Sequence, residues 1–334
     1  MTASYELTNK KILLTGATGF IGGAVARRLL AEGHPVRVLA RDPARAGEFS
    51  RLGAEVVRGD ILDLGSLRAA VAGCPVVIHC AGAINLFEGK EVYQRINAEG
   101  SNTICQAALE VGVERLVYTS SLVVHGIEPA TGLTETAPIK PCGDPYVDTK
   151  IEGEQIAQKW GAQGLPVVIV RPGQVYGPRD HTWTVTPFNL IKRNLMTYAD
   201  GGRGLIQPIF IDDLVDGYMA ALTKGKVGEA YLLLNENPIE IHRFFGYYAK
   251  MLGKRWIPSA PRPVAMIGAA LFEGLAKLTG KPPVFTRAQV LFTTLRISYN
   301  GKKAAEQLGF VPKTSLDEGM RQTEAWLRRE GSLK

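Results

Sequence analysis

The chain is poor in the residues that build metal sites and covalent cross-links. It carries four cysteines in 334 residues, Cys74, Cys80, Cys105 and Cys142. None forms a C-x-x-C pair, which argues against a zinc site, a redox motif or a disulfide framework and for reduced, intracellular usage. The five histidines are scattered, so no metal is expected. No basic run marks a nucleic-acid track, and the net charge of +7 is modest for this length. A nucleic-acid partner is therefore not expected. No internal repeat, low-complexity tract or linker divides the chain. No apolar run is long and uninterrupted enough to span a bilayer. The stretch Met1–Asn9 is short and polar and reads as no signal peptide, so a cytoplasmic protein is expected.

What is present is an apolar run followed by a glycine turn. Ile12-Leu13-Leu14 reads as a buried strand, and Ala24 to Leu30 as part of a helix ending near Gly33. Between them stands Thr15-Gly16-Ala17-Thr18-Gly19-Phe20-Ile21-Gly22-Gly23. Strand, glycine turn and helix in this order open a dinucleotide-binding unit. Glycines let backbone N–H groups approach a pyrophosphate, and the helix N-terminus adds partial positive charge. Gly16, Thr18, Gly19, Phe20, Ile21 and Gly22 are the binding candidates here.

Strands and helices alternate through the first half. Strands are predicted at Lys11–Leu14, Val36–Ala40, Glu55–Arg58, Val76–His79, Arg115–Thr119 and Val167–Val170. Helices are predicted at Gly22–Ala31, Ser66–Ala72, Val92–Val111 and Tyr146–Trp160. This alternation implies an α/β fold, a parallel sheet covered on both faces. Beyond it, Val185–Asn194 and Asp212–Thr223 read as helices. Gln207–Ile211 and Glu229–Leu234 read as strands completing the large domain or its edge. From Ile239 the chain is mostly helical. The 46% hydrophobic composition supports one large domain with a smaller appendage.

Two further patterns carry chemistry. Tyr146 and Lys150 are spaced to share one helix face. An ammonium beside a phenol favours the phenolate, which makes a general acid/base for an alcohol or ketone. Leu116-Val117-Tyr118-Thr119-Ser120-Ser121 is an apolar strand ending in hydroxyls, where open α/β sheets place their ligands.

The three motifs in this order resemble the extended short-chain dehydrogenases/reductases, the NAD-dependent epimerase/dehydratase family. The likeness covers nearly the whole chain. Gly59-Asp60-Ile61 resembles the family's adenine-contacting turn, with Asp60 and Ile61 as cofactor residues. His79-Cys80-Ala81-Gly82 resembles its cofactor-side turn, with Ala81 and Gly82. Asn97 matches the family's helix asparagine, and Pro172 lies in a run, Arg171 to Pro178, similar to the one after its sixth strand. The resemblance implies a Rossmann-type doubly wound sheet with a smaller, mostly helical C-terminal substrate domain. It assigns residues 1–184 plus about 205–235 to the cofactor domain and about 185–204 plus 236–334 to a discontinuous substrate domain. It makes Tyr146 the acid/base, Lys150 its pKa-lowering and ribose-binding partner, and Ser121 the catalytic serine, with Ser120 as the fallback. His125 stands where the family has a Tyr, a change in the substrate pocket or in packing.

In NAD-selective members an acidic residue ends the second strand. Here Ala40 takes that place and Arg41 follows. Loss of the carboxylate removes repulsion against a 2′-phosphate, and Arg41 offers it a charged partner, with Arg45 in support. Asp42 precedes Pro43 and reads as a helix cap. The expectation is NADP(H), with NAD(H) as the alternative.

Leu122 and Val123 follow Ser121, where sugar dehydratases of the family carry an acidic pair. Gln207 stands where a diphosphate-binding Arg would be sought, although Arg203, Arg287 or Arg296 could substitute. Val117 to Ser121 resembles the strand ending of 3β-hydroxysteroid dehydrogenases and dihydroflavonol-type reductases. The tail from Pro283-Val-Phe-Thr-Arg287 to Pro312 is similar to sterol-dehydrogenase-like members. The expected activity is therefore interconversion of a secondary alcohol and a ketone on a fairly apolar, sterol-like or aromatic small molecule. A nucleotide-sugar epimerase is the alternative, and a non-catalytic NAD(P)-binding regulator is the alternative from another class. The apolar segment 263–280, polar only at Glu273 and Lys277, is read three ways: packing on the substrate domain's own core, an apolar lid, or peripheral membrane contact. A homodimer is kept open.

Overall fold

The computed structural model describes residues 4–84, 89–279 and 285–333, without the side chains of Lys277 and Ala288. Met1 to Ala3, Gly280, and Pro283 and Val284 of the tail therefore lie outside the described residues, as does the Lys277 end of the polar stripe.

Seven strands form the central sheet: β1 Ile12–Thr15, β2 Val36–Ala40, β3 Glu55–Arg58, β4 Val76–His79, β5 Arg115–Thr119, β6 Val167–Pro172 and β7 Ala230–Leu233. Their order is β7-β6-β5-β4-β1-β2-β3, and every pairing is parallel. Buried strands of this kind show apolar side chains in unbroken runs, because both faces are covered. Alternate residues then go to opposite cores. Ile12 and Leu14 pack with Val25, Leu29 and Leu214 on one face. Leu13 packs with Leu67, Ile104 and Ala157 on the other. The first face is covered by α1 (Phe20–Ala31) and α5 (Ile211–Lys224). The second is covered by α2 (Leu64–Val71), α3 (Gly100–Val111) and α4 (Pro145–Ala162). Strand order reverses between β1 and β4, where Thr15 pairs in register with His79. Open α/β sheets bind ligands at such a switch point, beyond the carboxyl ends of the strands.

Three expected elements change. The helix read over Val92–Val111 is entered through Lys90–Tyr93 and a π-helical stretch Gln94–Glu99, and becomes regular α only from Gly100. The helix read over Val185–Asn194 opens as a π-helical turn, His181–Val185, and is α-helical only over Thr186–Lys192. The strand read over Gln207–Ile211 does not join the main sheet. β6 is already flanked by β5 and β7, so Pro208–Phe210 pairs instead with Gln174–Tyr176, past the end of β6. Glu229–Leu234, by contrast, does supply the edge strand β7.

The rest of the second half is held by small pairings, not by one sheet. Leu205–Ile206 pairs with Ile239–Glu240, and Tyr198–Ala199 with Ser259–Ala260. Ala130–Leu133 receives Ile297–Tyr299. An 18-residue helix, α6 (Arg262–Thr279), follows the second of these pairs.

Candidate active site

The glycine turn rests on the loop after β4. Gly16 has a φ of +76°, and a Cβ there would meet the Ala81 nitrogen at 2.6 Å. At Gly22 a Cβ would run into the Gly16 carbonyl. Thr18 and Gly19 are exposed, while Phe20 and Ile21 are partly buried against the core. Gly19 caps α1 without a side-chain hydrogen bond, and the first turn holds no acidic residue. The leading amides of α1 are thus open to an anion, as a pyrophosphate site requires.

At the end of β2, Ala40 is buried and Arg41 and Arg45 are exposed. Asp42 caps the 3-10 turn Pro43–Ala46, accepting from the Ala44 amide at 3.1 Å. It therefore works as the cap its position implied, and Arg41 is the first basic group past the strand. Asp60 accepts from the Leu62 amide at 3.1 Å, and its carbonyl accepts from the Ser66 hydroxyl at 3.1 Å. Ile61 lies against Gly100. Asn97 uses its side chain structurally. Its Oδ1 accepts from the Ala83 amide at 2.8 Å, and its Nδ2 donates to the Ala83 carbonyl at 3.1 Å and to Thr149 at 3.2 Å. It ties the turn that carries Ala81 and Gly82 to α4, and it does so from the π-helical stretch. π-bulges are frequent at functional sites.

α4 begins at Pro145 because Asp144 accepts from the amides of Tyr146 and Val147 at 3.0 and 3.1 Å, with proline in the first turn. Asp148 pins the preceding loop through the Cys142 and Gly143 amides. Tyr146 and Lys150 then face β5 one turn apart. Lys150 donates to the Thr119 carbonyl at 2.7 Å. Its pKa is lowered to about 8, chiefly by burial, against which Glu154 and Cys80 act. Tyr146 is held above the usual phenol value, chiefly by burial, against which the Ser121 hydroxyl acts as a hydrogen-bond partner. The phenol is thus raised here, not lowered as the spacing with Lys150 implied, because Lys150 is turned to the Thr119 carbonyl and burial dominates. Ser121 caps the 3-10 turn Leu122–His125 and stays partly exposed. Ser120 is buried and donates to Glu154. Of the two serines, Ser121 is the one facing Tyr146. Pro172 ends β6 in the buried interior.

Beneath these groups lies a polar network that the motif reading overlooked. Glu154, one turn beyond Lys150, is fully buried and paired with buried Arg171 of β6, with contacts of 2.5 and 3.0 Å. Arg171 Nη1 donates to the Glu135 carbonyl at 2.8 Å and lies 3.1 Å from His125 Nε2. Because a guanidinium can only donate, His125 Nε2 accepts, and the ring proton sits on Nδ1, which faces the Pro138 carbonyl at 3.3 Å. Burial, then Arg171, holds His125 below the ordinary histidine value. His125 is therefore a packing residue in the loop that carries Ser121. Two signals pointed to this network: Glu154 repeats the Tyr146/Lys150 spacing, and Arg171 is a lone cation ending an apolar strand.

At the switch point, Thr15 Oγ1 lies 2.8 Å from His79 Nδ1. Burial and then Lys150 drive His79 down to a pKa of about 3. Burial raises Cys80 to about 11, so its thiol is inert at neutral pH.

On the opposite side, Gln207 is buried, and its side chain is bonded entirely to backbone. It accepts from the Tyr299 amide at 2.6 Å and donates to the carbonyls of Tyr299 and Asn235 at 3.0 and 2.9 Å. It splices strands where a cation was sought. Arg287 is paired with Glu273 at 2.8 Å. Arg296 donates to the Arg203 carbonyl at 2.6 Å, and both arginines line a cleft of about 650 Å³ with Asp200, Gly201, Gly204 and Thr294.

A parallel sheet with an open phosphate turn at its switch point, and a tyrosine, lysine and serine gathered at the end of β5, defines a nicotinamide-dinucleotide enzyme. The sequence profile of the NAD dependent epimerase/dehydratase family matches residues 12–233, and the chain belongs to that family, whose members include the extended short-chain dehydrogenases/reductases. It is similar to the sterol demethylase protein B of Methylococcus capsulatus, 31% identical over 96% of this chain and 99% of that protein. It is also similar to the 4-hydroxy-2-methyl-3-oxo-4-farnesyl-3,4-dihydroquinoline-1-oxide ketoreductase of Stigmatella aurantiaca, 26% identical over 93% of this chain and 94% of that one. Among solved structures it superposes on the dTDP-glucose 4,6-dehydratase of Streptomyces venezuelae, determined with NAD bound. The TM-score is 0.78 at 25% identity, covering 97% of this chain and 99% of that chain.

Proposed function

We propose that the chain interconverts a secondary alcohol and a ketone on a fairly apolar, sterol-like or aromatic substrate, with NADP(H) as the preferred cofactor. The observation that carries the substrate class is Gln207. A diphosphate held away from water needs cationic partners, and the side chain at that position is neutral and committed to backbone. The names of the sterol-related relative and the farnesylated-quinoline ketoreductase support the same reading.

When bound, the nicotinamide supplies or accepts hydride at the carbinol carbon. The chain's own residues do the rest. Tyr146 moves the proton on the substrate oxygen. Ser121 hydrogen-bonds that oxygen and the phenol. Lys150 places a positive charge behind the phenolate, and the Thr119 carbonyl keeps its ammonium oriented. The open amides of Phe20 and Ile21 at the start of α1 would receive the pyrophosphate, Asp60 and Ile61 would flank the adenine, and Arg41 would meet the 2′-phosphate. The substrate side would be assembled from 185–204 and 236–334. Loss of reduced-nicotinamide absorbance with hydroxysteroid ketones or bulky aromatic ketones tests this. No turnover on any such compound, with a UDP-sugar bound at micromolar affinity, would refute it.

The second reading is a nucleotide-sugar epimerase, favoured by the cleft that Arg203 and Arg296 line. Calorimetry separates the two, because an epimerase recycles its cofactor and shows no net absorbance change. Loss of UDP-sugar binding in Arg296→Ala would establish it.

A further inference from the structure

The helix α6 has two faces of opposite character. Its inner face is small and buried: Ala265 and Ala269 pack on Ala199 and Val290, with Met266 beside them. Its outer face is apolar and open. Val264, Ile267, Leu271, Leu275 and Leu278 are between 55% and 87% exposed. They follow one another in steps of three and four residues, so they form one stripe along the helix, about 21 Å long at 1.5 Å per residue. Pro263, Ala270, Phe272 and Gly274 are the other exposed residues between Pro263 and Leu278. No described side chain in that interval places an unpaired charge on the open face. Glu273 is turned aside and held by the Arg287 guanidinium and amide, each at 2.8 Å. Monomeric soluble proteins rarely leave such a continuous apolar surface without a partner.

The surroundings say what that partner is. Arg262 opens the helix and is exposed, and Arg255 and Trp256, in the segment leading into it, are exposed as well, Trp256 to 72%. Asp200 accepts from the Arg262 amide at 2.8 Å. An apolar stripe preceded in the chain by an exposed tryptophan and exposed arginines is the composition of a helix lying in a bilayer interface. The aromatic ring sits at headgroup level and the guanidiniums meet lipid phosphates. No helix of the described residues is long and apolar enough to cross a membrane, so the contact is peripheral. We propose that the open face of α6 docks the protein on an anionic phospholipid surface. The proposal does not depend on the substrate class, because it rests on this face alone.

The test is flotation of the full chain with vesicles of phosphatidylcholine and phosphatidylglycerol, and with phosphatidylcholine alone. The wild type should float with the anionic vesicles and be released by salt. Leu271→Asp with Leu275→Asp should weaken binding by about tenfold or more per leucine, with nucleotide binding unchanged as proof of folding. Arg255→Ala and Arg262→Ala should each weaken it about fivefold. Trp256 fluorescence should shift to the blue on the vesicles, and Trp256→Phe should remove that shift. Failure to float with anionic vesicles, equal binding to neutral ones, or an unchanged double variant would overturn the proposal. So would a dimer that the double variant converts to a monomer without vesicle binding, which would give the stripe to a second copy.

Discussion

The interior beneath α4 and the outer face of α6 invert the usual distribution of side chains in opposite ways. Under α4, a carboxylate, a guanidinium and an imidazole are buried. Along α6, large aliphatic side chains are exposed. Buried charge is tolerated only when paired and hydrogen-bonded, and each of these groups has its partner within the network. Exposed apolar surface is tolerated only where something else covers it or where its cost is accepted. The first inversion is closed by the chain's own residues, on the helix that carries Tyr146 and Lys150 and in the loop that carries Ser121. The second is left open on the surface.

The largest effect should come from Tyr146, two turns before Glu154 on α4. Tyr146→Phe should reduce turnover by about 10²–10⁴-fold while nucleotide affinity, measured by fluorescence titration, stays near the wild-type value. A variant retaining the wild-type rate would separate Tyr146 from catalysis altogether. Next comes the network itself. Arg171→Met strands the Glu154 carboxylate and should cost about 3–5 kcal/mol in denaturant unfolding. Adding Glu154→Leu should recover much of that loss. A small cost for Arg171→Met alone would mean that the interior is wetter than its burial implies.

On the exposed side, Arg41→Ala should weaken NADPH by about 1.5–3 kcal/mol, the scale of a hydrogen bond to a charged group, and leave NADH almost unchanged. Equal losses would show that Arg41 does not read the 2′-phosphate.

The pH dependence ties the two regions to their solvents. Lys150 titrates near 8 in the folded chain against an ordinary value of 10.5. Activity that requires its ammonium should therefore decline as pH rises through about 8. The unfolded chain binds the extra proton between those two values, so this group makes stability rise with pH across the same window. Glu154→Gln removes the larger of the two groups that raise the Lys150 pKa, and the alkaline limb of the rate profile should move to lower pH. An unmoved limb would assign it to another group. The smallest effect is expected on α6, where Leu271→Ser should change stability by no more than about 0.5 kcal/mol. A larger loss would mean that the stripe packs on the protein in solution.

Much of the site could be read along the chain because its signals are local. The glycine turn needs strand, glycines and helix within one short segment, and Tyr146 with Lys150 needs only helical spacing. Asp42 as a cap followed from its neighbour Pro43, since capping joins adjacent residues. The runs Ile12–Leu14 and Val167–Val170 announced strands covered on both faces. What could not be read depended on partners far away in sequence. Glu154 and Arg171 each stand out by position, but their pairing is visible only when β6 is laid beside α4. Pro208–Phe210 has the composition of a sheet strand, but β7 already holds the edge it would have joined. Gln207 is polar in any reading, and only the approach of Tyr299 makes it a backbone splice. The Glu273 position implied one polar stripe on α6, yet which of the remaining faces meets solvent depends on where Ala199 and Val290 stand. Periodicity sets which side chains share a face, because the backbone repeat is fixed by local geometry. Burial, pairing and pKa are set by what the other elements bring to that face.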